Sequence, residues 1–246
     1  TAQVAGCTDP LASNFDPSAT LNDGSCTYNN ASVIATASFN LAGNVVETSG
    51  LLCWNNYLWT HNDSDDVNLY ALDSANGNLV RWYPLSGATN TDWEEISQDD
   101  TFIYVGDLGN NQSGNRTDLR ILKIDKNSIL NGTPVIETIQ FTYSNQVDYT
   151  PSGSNNTDFD CEAFVVSADS IYLFTKQWIS NKTSVYALPK TPGTFTAKLK
   201  STYDVQGLIT GAVYLESKKL LALSGYSKEL QPFVYLLYDF SGSDFF

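Results

Sequence analysis

The chain has 246 residues and a formal net charge of −14, from 13 Lys and Arg against 27 Asp and Glu. This charge disfavours nucleic acid and anionic membrane surfaces, which attract basic proteins, and no run approaches the roughly 20 apolar residues that span a bilayer. The absence of Met indicates a mature or trimmed product, and four Cys with abundant Asn and Thr favour an oxidising compartment. We therefore expect a protein that is secreted or at the cell surface, without membrane insertion.

Residues 1–28 form a segment that is too polar to build a core of its own. A bridge between Cys7 and Cys26 would close it and would stabilise it by roughly 3 kcal/mol. Carboxylates crowded inside such a loop repel one another unless a cation lies among them. The predicted metal ligands are Asp9, Asn14, Asp16, Asn22 and Asp23.

The stretch from Gly6 to Cys26 resembles the short thrombospondin type-3-like repeats of secreted Bacteroidota proteins. The likeness is carried by Gly-Cys-Thr-Asp at residues 6–9, Asn-Phe-Asp-Pro at 14–17 and Asp-Gly-Ser-Cys at 23–26. The resemblance implies that Ca²⁺ is bound, with Asp9, Asn14, Asp16 and Asp23 as ligands. The alternative is a surface knob of Asx turns without metal.

Residues 29–46 are predicted to be a linker with a lead-in strand from Val33 to Leu41. From residue 47 onwards, alternating and β-branched or aromatic segments predict strands throughout, without a helical stripe. The segments repeat in four units near 47–90, 91–150, 158–205 and 206–246. Their third strands are alike: Asn-Leu-Tyr-Ala-Leu at 68–72, Arg-Ile-Leu-Lys-Ile at 120–124, Ser-Val-Tyr-Ala-Leu at 184–188 and Phe-Val-Tyr-Leu-Leu at 233–237.

Repeated four-stranded antiparallel units predict an all-β fold of the β-propeller type. The alternative is a β-sandwich, which also has many short strands but does not need self-similar units. The repeats resemble secreted bacterial six-bladed propellers of the strictosidine synthase, gluconolactonase and phytase-like type. The likeness lies in residues 47–51, 59–64, 91–96, 104–111 and 160–163. Because this type has six blades and four are visible, we expect the chain to be a truncated propeller.

Acidic residues recur where the first strand of a unit begins. Glu47, Glu94 and Glu162 hold equivalent positions, with Asp92 and Asp160 two residues before the last two, whereas the fourth unit has Thr210 there. Converging carboxylates bind a divalent cation or serve as acid and base, and the resemblance implies a metal at this place. The alternative is that they accept hydrogen bonds from the backbone of neighbouring blades. The catalytic candidates are therefore Glu94, Glu162, Asp92 and Asp160, together with His61, the single His of the chain.

The loops after the second strands predict a second, ligand-binding set with polar groups and an aromatic edge. Its members are Asn62, Asp63, Asp107, Asn111, Arg116, Lys176 and Trp178. Cys53 and Cys161 belong to units that are not neighbours, so we expect two buried free thiols.

These features favour a calcium-associated propeller that binds a protein or glycan ligand. The alternative is a metal-dependent hydrolase of lactonase or phosphoesterase type that uses the first-strand carboxylates. A third possibility is a chain ordered inside a larger surface or secretion assembly, because an open arc exposes sheet edges that promote pairing.

Overall fold

The structure is a computed structural model that describes residues 2–32, 34–238 and 240–246. Its contacts divide the chain into two compact units, Thr1–Phe39 and Asn40–Phe246. The first unit therefore extends past the predicted end of the disulfide module at residue 28. Among the described residues, no helix is long and apolar enough to cross a membrane.

The first unit is tied together by a disulfide between Cys7 and Cys26, whose Cα atoms are 4.7 Å apart. This confirms the predicted bridge. The short strands β1 (Ala5–Gly6) and β2 (Leu21–Asn22) pair in parallel beside it. The disulfide and the pairing of β1 with β2 stabilise this unit, whereas larger domains are stabilised by a hydrophobic core.

The predicted lead-in strand is wrong over residues 34–41, which adopt no strand, while Val33 lies outside the described residues. Ile34 and Phe39 are exposed. Apolar β-forming residues alone do not make a strand, because a strand also needs a neighbour to pair with.

The second unit consists mainly of strands, which confirms the all-β prediction. Its strands are β3 (Thr48–Trp54), β4 (Tyr57–Asn62), β5 (Asn68–Asp73), β6 (Leu79–Pro84), β7 (Trp93–Gln98), β8 (Phe102–Asp107), β9 (Arg120–Asp125), β10 (Ile136–Tyr143), β11 (Asp160–Val166), β12 (Ser170–Lys176), β13 (Thr183–Pro189), β14 (Gly193–Tyr203), β15 (Leu208–Leu215), β16 (Leu220–Tyr226) and β17 (Pro232–Leu237). The helix α1 (Lys126–Leu130) and a 3₁₀ turn (Glu216–Lys218) are too short to show as a stripe in the sequence.

The strands form four antiparallel sheet units in chain order. Sheet unit 1 is β3–β6, sheet unit 2 is β7–β10, sheet unit 3 is β11–β14 and sheet unit 4 is β15–β17. These correspond to the four sequence repeats. The sequence does not predict one feature: β10 and β14, the last strands of sheet units 2 and 3, pair in parallel and join these units into one eight-stranded sheet.

The first strands β3, β7, β11 and β15 lie beside one another in succession, and a hydrophobic cluster fills the space between successive sheet units. Trp59 packs with Val105 between units 1 and 2, and Phe164 lies among the core residues between units 2 and 3. Phe174 packs with Leu221 between units 3 and 4. The middle sheet units are therefore buried on both faces, which explains their continuous apolar runs.

Both remaining cysteines are free, but only one of them is buried. Cys161 lies in the core, as predicted. The prediction for Cys53 is wrong because its neighbour Leu52 points towards sheet unit 2, and alternation along β3 turns Cys53 to the opposite, open side.

Candidate functional site

Two β-bulges place Glu94 and Glu162. The pairing of β7 with β8 steps from Trp93 to Glu95, and the pairing of β11 with β12 steps from Cys161 to Ala163. Each glutamate is thus the extra residue of its bulge, a position that redirects a side chain out of the regular alternation. The structure brings these two predicted residues together with Asp92 and Asp160, and we call these four residues the carboxylate cluster.

Glu94 is a buried member of the carboxylate cluster with little hydrogen bonding. It is 8% exposed, and within the described residues its carboxylate receives one side-chain hydrogen bond, a long one of 3.5 Å from the Ser49 hydroxyl. Burial, and then the charge of Glu162, raise the pKa of Glu94 to about 10. Glu94 therefore carries a proton at neutral pH.

Glu162 forms an ion pair with Lys176, the last residue of β12. Burial raises the pKa of Glu162 to about 7, while the nearby Lys176 charge lowers it. The Lys176 ammonium also lies 4.5 Å from the ring centre of Trp178 and 5.3 Å from that of Tyr226. Lys176 and Trp178, two predicted ligand-binding residues, therefore adjoin the carboxylate cluster.

Asp160 and Asp92 complete the carboxylate cluster from the beginnings of the same two strands. Asp160 is fully buried and accepts hydrogen bonds from the backbone N–H of Asn110 and from the indole N–H of Trp178, both at 2.7 Å. Burial raises the pKa of Asp160. Burial, and then the charge of Asp160, raise the pKa of Asp92 to about 6.

Gly109 shows how closely the backbone approaches these acids. A Cβ atom at this position would lie 2.1 Å from Asp92 Oδ2 and 2.7 Å from Glu94 Oε1. Both carboxyl groups therefore contact the same glycine, and only the absence of a side chain makes room for them.

Asp107 and Arg116 are predicted ligand residues that the structure uses internally. Asp107 is fully buried, with one carboxylate oxygen 2.8 Å from Arg116 and the other 2.7 Å from Arg120. Arg116 also donates to Asp118 and to the Gly109 carbonyl. This network holds the loop after β8 against the carboxylate cluster.

The remaining loop residues are likewise engaged with neighbouring residues. Asn62 is buried and donates to the Asn44 carbonyl and to Asp66. Burial, and then contact with Glu47, raise the pKa of Asp63. Asn111 is half-buried, and its backbone carbonyl accepts a hydrogen bond from the backbone N–H of Asn155 at 2.7 Å.

His61 is fully buried, and its Nδ1 lies 3.0 Å from the Asn62 carbonyl. Its ring meets Trp93 edge-on at 5.7 Å. Burial lowers the pKa of His61 to about 4. The side chain is therefore a neutral core group at pH 7.

Glu47 does not stand at the position equivalent to Glu94. It is exposed just before β3 and accepts a hydrogen bond from Ser64. The bulge of β3 falls at Gly50 and Leu51, and that of β15 falls at Thr210. The sequence analysis assigned Glu47 to the position that Glu94 holds in sheet unit 2. The pairing register shows that Glu47 precedes the bulge of β3 by three residues.

Glu95 is a central residue that the sequence analysis missed. It is buried, and its carboxylate accepts hydrogen bonds from its neighbour Ile96 at 2.9 Å and from Ala212 of sheet unit 4 at 3.1 Å. It also packs against Gly50 of sheet unit 1. The second glutamate, directly after Glu94 at the beginning of a predicted strand, is the signal that could have found it.

Four of the five predicted calcium ligands of the first unit accept the backbone amide two residues further on, and Asn14 instead bonds a more distant segment. Asp16 accepts the Ser18 amide at 2.8 Å, Asn22 that of Gly24 at 3.0 Å and Asp23 that of Ser25 at 3.0 Å. Asp9 accepts the Leu11 amide and the Tyr28 hydroxyl, and Asn14 bonds the backbone of Ser25 and Thr27.

Across residues 2–32, 34–238 and 240–246, no group of three or more His, Cys, Asp and Glu side chains is placed to hold a metal ion. In this arrangement Asp9, Asp16 and Asp23 each accept the backbone amide two residues further on, as in an Asx turn. The side chains would have to leave some of these hydrogen bonds to coordinate an ion together.

Comparisons with known proteins give a distant likeness in structure alone. No family model matches the chain, and no curated protein matches it. A solved β-xylosidase structure is similar with a TM-score of 0.48 and 10% sequence identity, over 83% of this chain and 75% of that one. This likeness is too distant to inform on activity.

Proposed function

We propose that the protein is an extracellular β-propeller that binds its ligand, a protein or a glycan, at the carboxylate cluster. Support for a propeller comes from the four successive antiparallel sheet units and from their first strands, which lie side by side. The Cys7–Cys26 disulfide fits an oxidising, extracellular compartment.

Glu94 is the observation that carries the binding proposal. A buried carboxyl group with one long hydrogen bond is costly to fold. A ligand that offers an acceptor for the Glu94 proton and a donor to its carbonyl oxygen would satisfy it. Lys176, Trp178 and Tyr226 would border such a ligand, with the charge of Lys176 already neutralised by Glu162.

Glycan and peptide arrays, probed with the intact chain and with Glu94→Ala, test this proposal. We expect ligands of the unaltered protein to be lost in Glu94→Ala and kept in Glu137→Ala, an exposed carboxylate on β10 that pairs with Lys123. The proposal fails if Glu94→Ala retains the same ligands, or if the unaltered protein binds none.

A hydrolase is the second candidate, and one observation favours it. Glu94 keeps its proton at neutral pH, whereas Glu162 beside Lys176 titrates near pH 7. Carboxyl groups held apart in this way can serve as acid and base. Hydrolysis of p-nitrophenyl acetate, p-nitrophenyl phosphate or a δ-lactone, with and without added Mn²⁺ or Ca²⁺ and abolished by Glu162→Gln, would support this candidate over a pure binding role.

Calcium binding by the first unit remains part of the proposal. Its support is the resemblance of residues 6–26 to calcium-binding repeats, together with carboxylates that hydrogen bonds keep ionised. Hydrogen bonds from Ser18 and from Ser25 lower the pKa of Asp16 and of Asp23, respectively. Ionised carboxylates are the form that Ca²⁺ requires.

A further inference from the structure

Two neighbouring carboxyl groups of the carboxylate cluster lie against the same backbone position. Asp92 Oδ2 and Glu94 Oε1 both lie within 2.7 Å of the place that a Cβ atom of Gly109 would occupy, so the two oxygens are close neighbours. Asp92 is half-buried, and within the described residues burial and charges, without a hydrogen bond, shift the pKa of its carboxyl group. Both groups are therefore short of hydrogen-bond partners on this side of the site.

The contact of Glu94 with Ser49 does little to satisfy it. The Ser49 hydroxyl oxygen lies 3.5 Å from Glu94 Oε2 but 2.6 Å from the backbone carbonyl oxygen of Glu94. A serine hydroxyl has one proton to donate, and the shorter contact takes it. A carboxyl group that is only 8% exposed thus lies in the cluster almost without a partner, which is costly unless a ligand supplies the hydrogen bonds.

Charge around the carboxylate cluster favours a neutral ligand. The Lys176 ammonium already lies there, paired with Glu162 and 4.5 Å from the ring centre of Trp178. A ligand ammonium or guanidinium group would meet this charge, and it only donates hydrogen bonds, so it offers no acceptor to the proton of Glu94. An anionic ligand would instead be repelled by the carboxylates of the cluster.

Hydroxyl groups fit both Asp92 and Glu94. A hydroxyl donates one hydrogen bond and accepts others, so one hydroxyl accepts the Glu94 proton while its neighbour on a sugar ring donates to Asp92. The N–H and C=O of a trans peptide group point in opposite directions, so a single peptide group does not serve both. Trp178 and Tyr226, which are half-buried beside Lys176, offer aromatic surface to the apolar face of a sugar.

We propose that the ligand of the carboxylate cluster is a neutral glycan, and that two adjacent hydroxyl groups of one sugar ring bind Asp92 and Glu94. This inference rests on the proposed binding function and narrows its ligand to one chemical class. The sugar ring lies beside Trp178 and Tyr226. Acidic sugars and basic peptides are disfavoured by their charge.

An array of three ligand classes, probed with the intact chain, tests this inference. It carries neutral oligosaccharides of glucose, galactose, mannose and arabinose, oligogalacturonates as acidic counterparts, and peptides that contain Lys, Arg, Asn or Gln. We expect binding to neutral oligosaccharides alone. A peptide or an oligogalacturonate that binds instead, and whose binding Glu94→Ala abolishes, would overturn the neutral glycan while leaving the proposed site in place.

Calorimetric titration with the oligosaccharide that binds best then tests the two contacts. Glu94→Ala and Asp92→Ala should each weaken binding by about tenfold or more, because a buried partner of a hydroxyl is lost. Asp92 is half-buried, so its variant provides the measurement if Glu94→Ala fails to fold. Glu137→Ala, the exposed control, should bind as the unaltered chain does.

Glu94→Gln separates a neutral ligand from a charged one. Its amide keeps a donor and an acceptor, so it should restore most of the binding that Glu94→Ala loses. Equal losses in Glu94→Gln and Glu94→Ala contradict the neutral glycan. Binding that neither Glu94→Ala nor Asp92→Ala weakens overturns this inference and the proposed site together, as does the absence of binding to every member of the array.

Discussion

Glu94 makes folding depend on pH in an unusual direction. The folded protein keeps the Glu94 proton up to about pH 10, whereas the unfolded chain loses it near the ordinary value of 4.5. The folded state therefore binds more protons between these pH values, so this residue makes the protein more stable as pH falls from 10 towards 4.5. Glu162, with a pKa of about 7, acts in the same direction over a narrower range.

Glu94→Gln should raise the free energy of unfolding at pH 7 by about 3 kcal/mol, because the amide needs no proton uptake on folding. The gain should shrink towards pH 5. Urea denaturation at both pH values measures it, and Glu137→Gln is the exposed control. A loss of stability at pH 7 would show that Glu94 is ionised and satisfied in the folded protein. Because the pKa of His61 is lowered to about 4 in the folded state, protonation of His61 in the unfolded state destabilises both proteins on acidification. This contribution is the same in both proteins and cancels in the comparison.

Asp107→Asn should destabilise the protein by about 3 kcal/mol. It removes the charge that neutralises Arg116 and Arg120, and breaking a buried ion pair leaves its partners uncompensated. Chemical denaturation measures the effect. Asp118→Asn, which removes a half-exposed partner of Arg116 alone, should cost less than about 1 kcal/mol. Equal costs for the two variants would contradict the central role of Asp107.

At the scale of residues, the sequence predicted Glu94, Glu162, Asp92 and Asp160 because they repeat at one position of two similar units. The sequence analysis misplaced Glu47, because the position of the bulge relative to the beginning of the first strand differs between sheet units 1 and 2. It could not show that Asp107 and Arg116 bind each other, because a polar loop that contacts a ligand and one that contacts itself have the same composition.

At the scale of elements, the bulges of the first strands determine the site. Gly50, in the bulge of β3, has φ +67°, and a Cβ there would lie 2.6 Å from the Ile96 amide nitrogen and 2.7 Å from Glu95 Oε1. The backbone of sheet unit 1 thus rests directly on sheet unit 2, and a side chain would force the two apart.

Gly50→Ala should therefore lower the free energy of unfolding by about 2 kcal/mol or more, from backbone strain and close contact together. Gly87→Ala is the matched control, because Gly87 also has a positive φ, of +93°, but has open space around its Cβ position. It should cost about 1 kcal/mol. Thermal unfolding of both variants measures the difference, and equal costs would contradict the close approach at Gly50.

Strand positions were predictable because alternation and turn residues are local signals. Pairing between strands that are distant in the sequence was not predictable, and β10 and β14 are the example. Residues 136–143 and 193–203 have the patterns of last strands in two separate repeats, and no local signal indicates that they pair in parallel. The missing strand at residues 34–41 has the same origin, because a partner strand cannot be seen in the sequence.

At the scale of the whole molecule, the two compact units should respond separately to reduction. The double variant Cys7→Ser and Cys26→Ser should lose roughly 3 kcal/mol of stability in the first unit, because the unfolded segment is no longer constrained. The unfolding of residues 40–246 should be unchanged.

Calorimetric titration of the same variant with Ca²⁺ tests the proposed calcium site. We expect one binding event in the intact chain and its loss in the variant, since the bridge holds the ligands together. Asp16→Asn, which keeps the bridge, should weaken binding as well. A binding event that survives in both variants would place the ion outside the first unit and would favour the carboxylate cluster and the hydrolase.

That Glu94 and Glu162 share one buried site is tested most directly by NMR titration of the Glu94 side-chain carboxyl carbon. We predict that its chemical shift stays that of a protonated acid through pH 7, and that Glu162→Gln lowers its midpoint because a neighbouring charge is gone. A midpoint near 4.5 that does not respond to Glu162→Gln would contradict both the burial of Glu94 and its place in the carboxylate cluster.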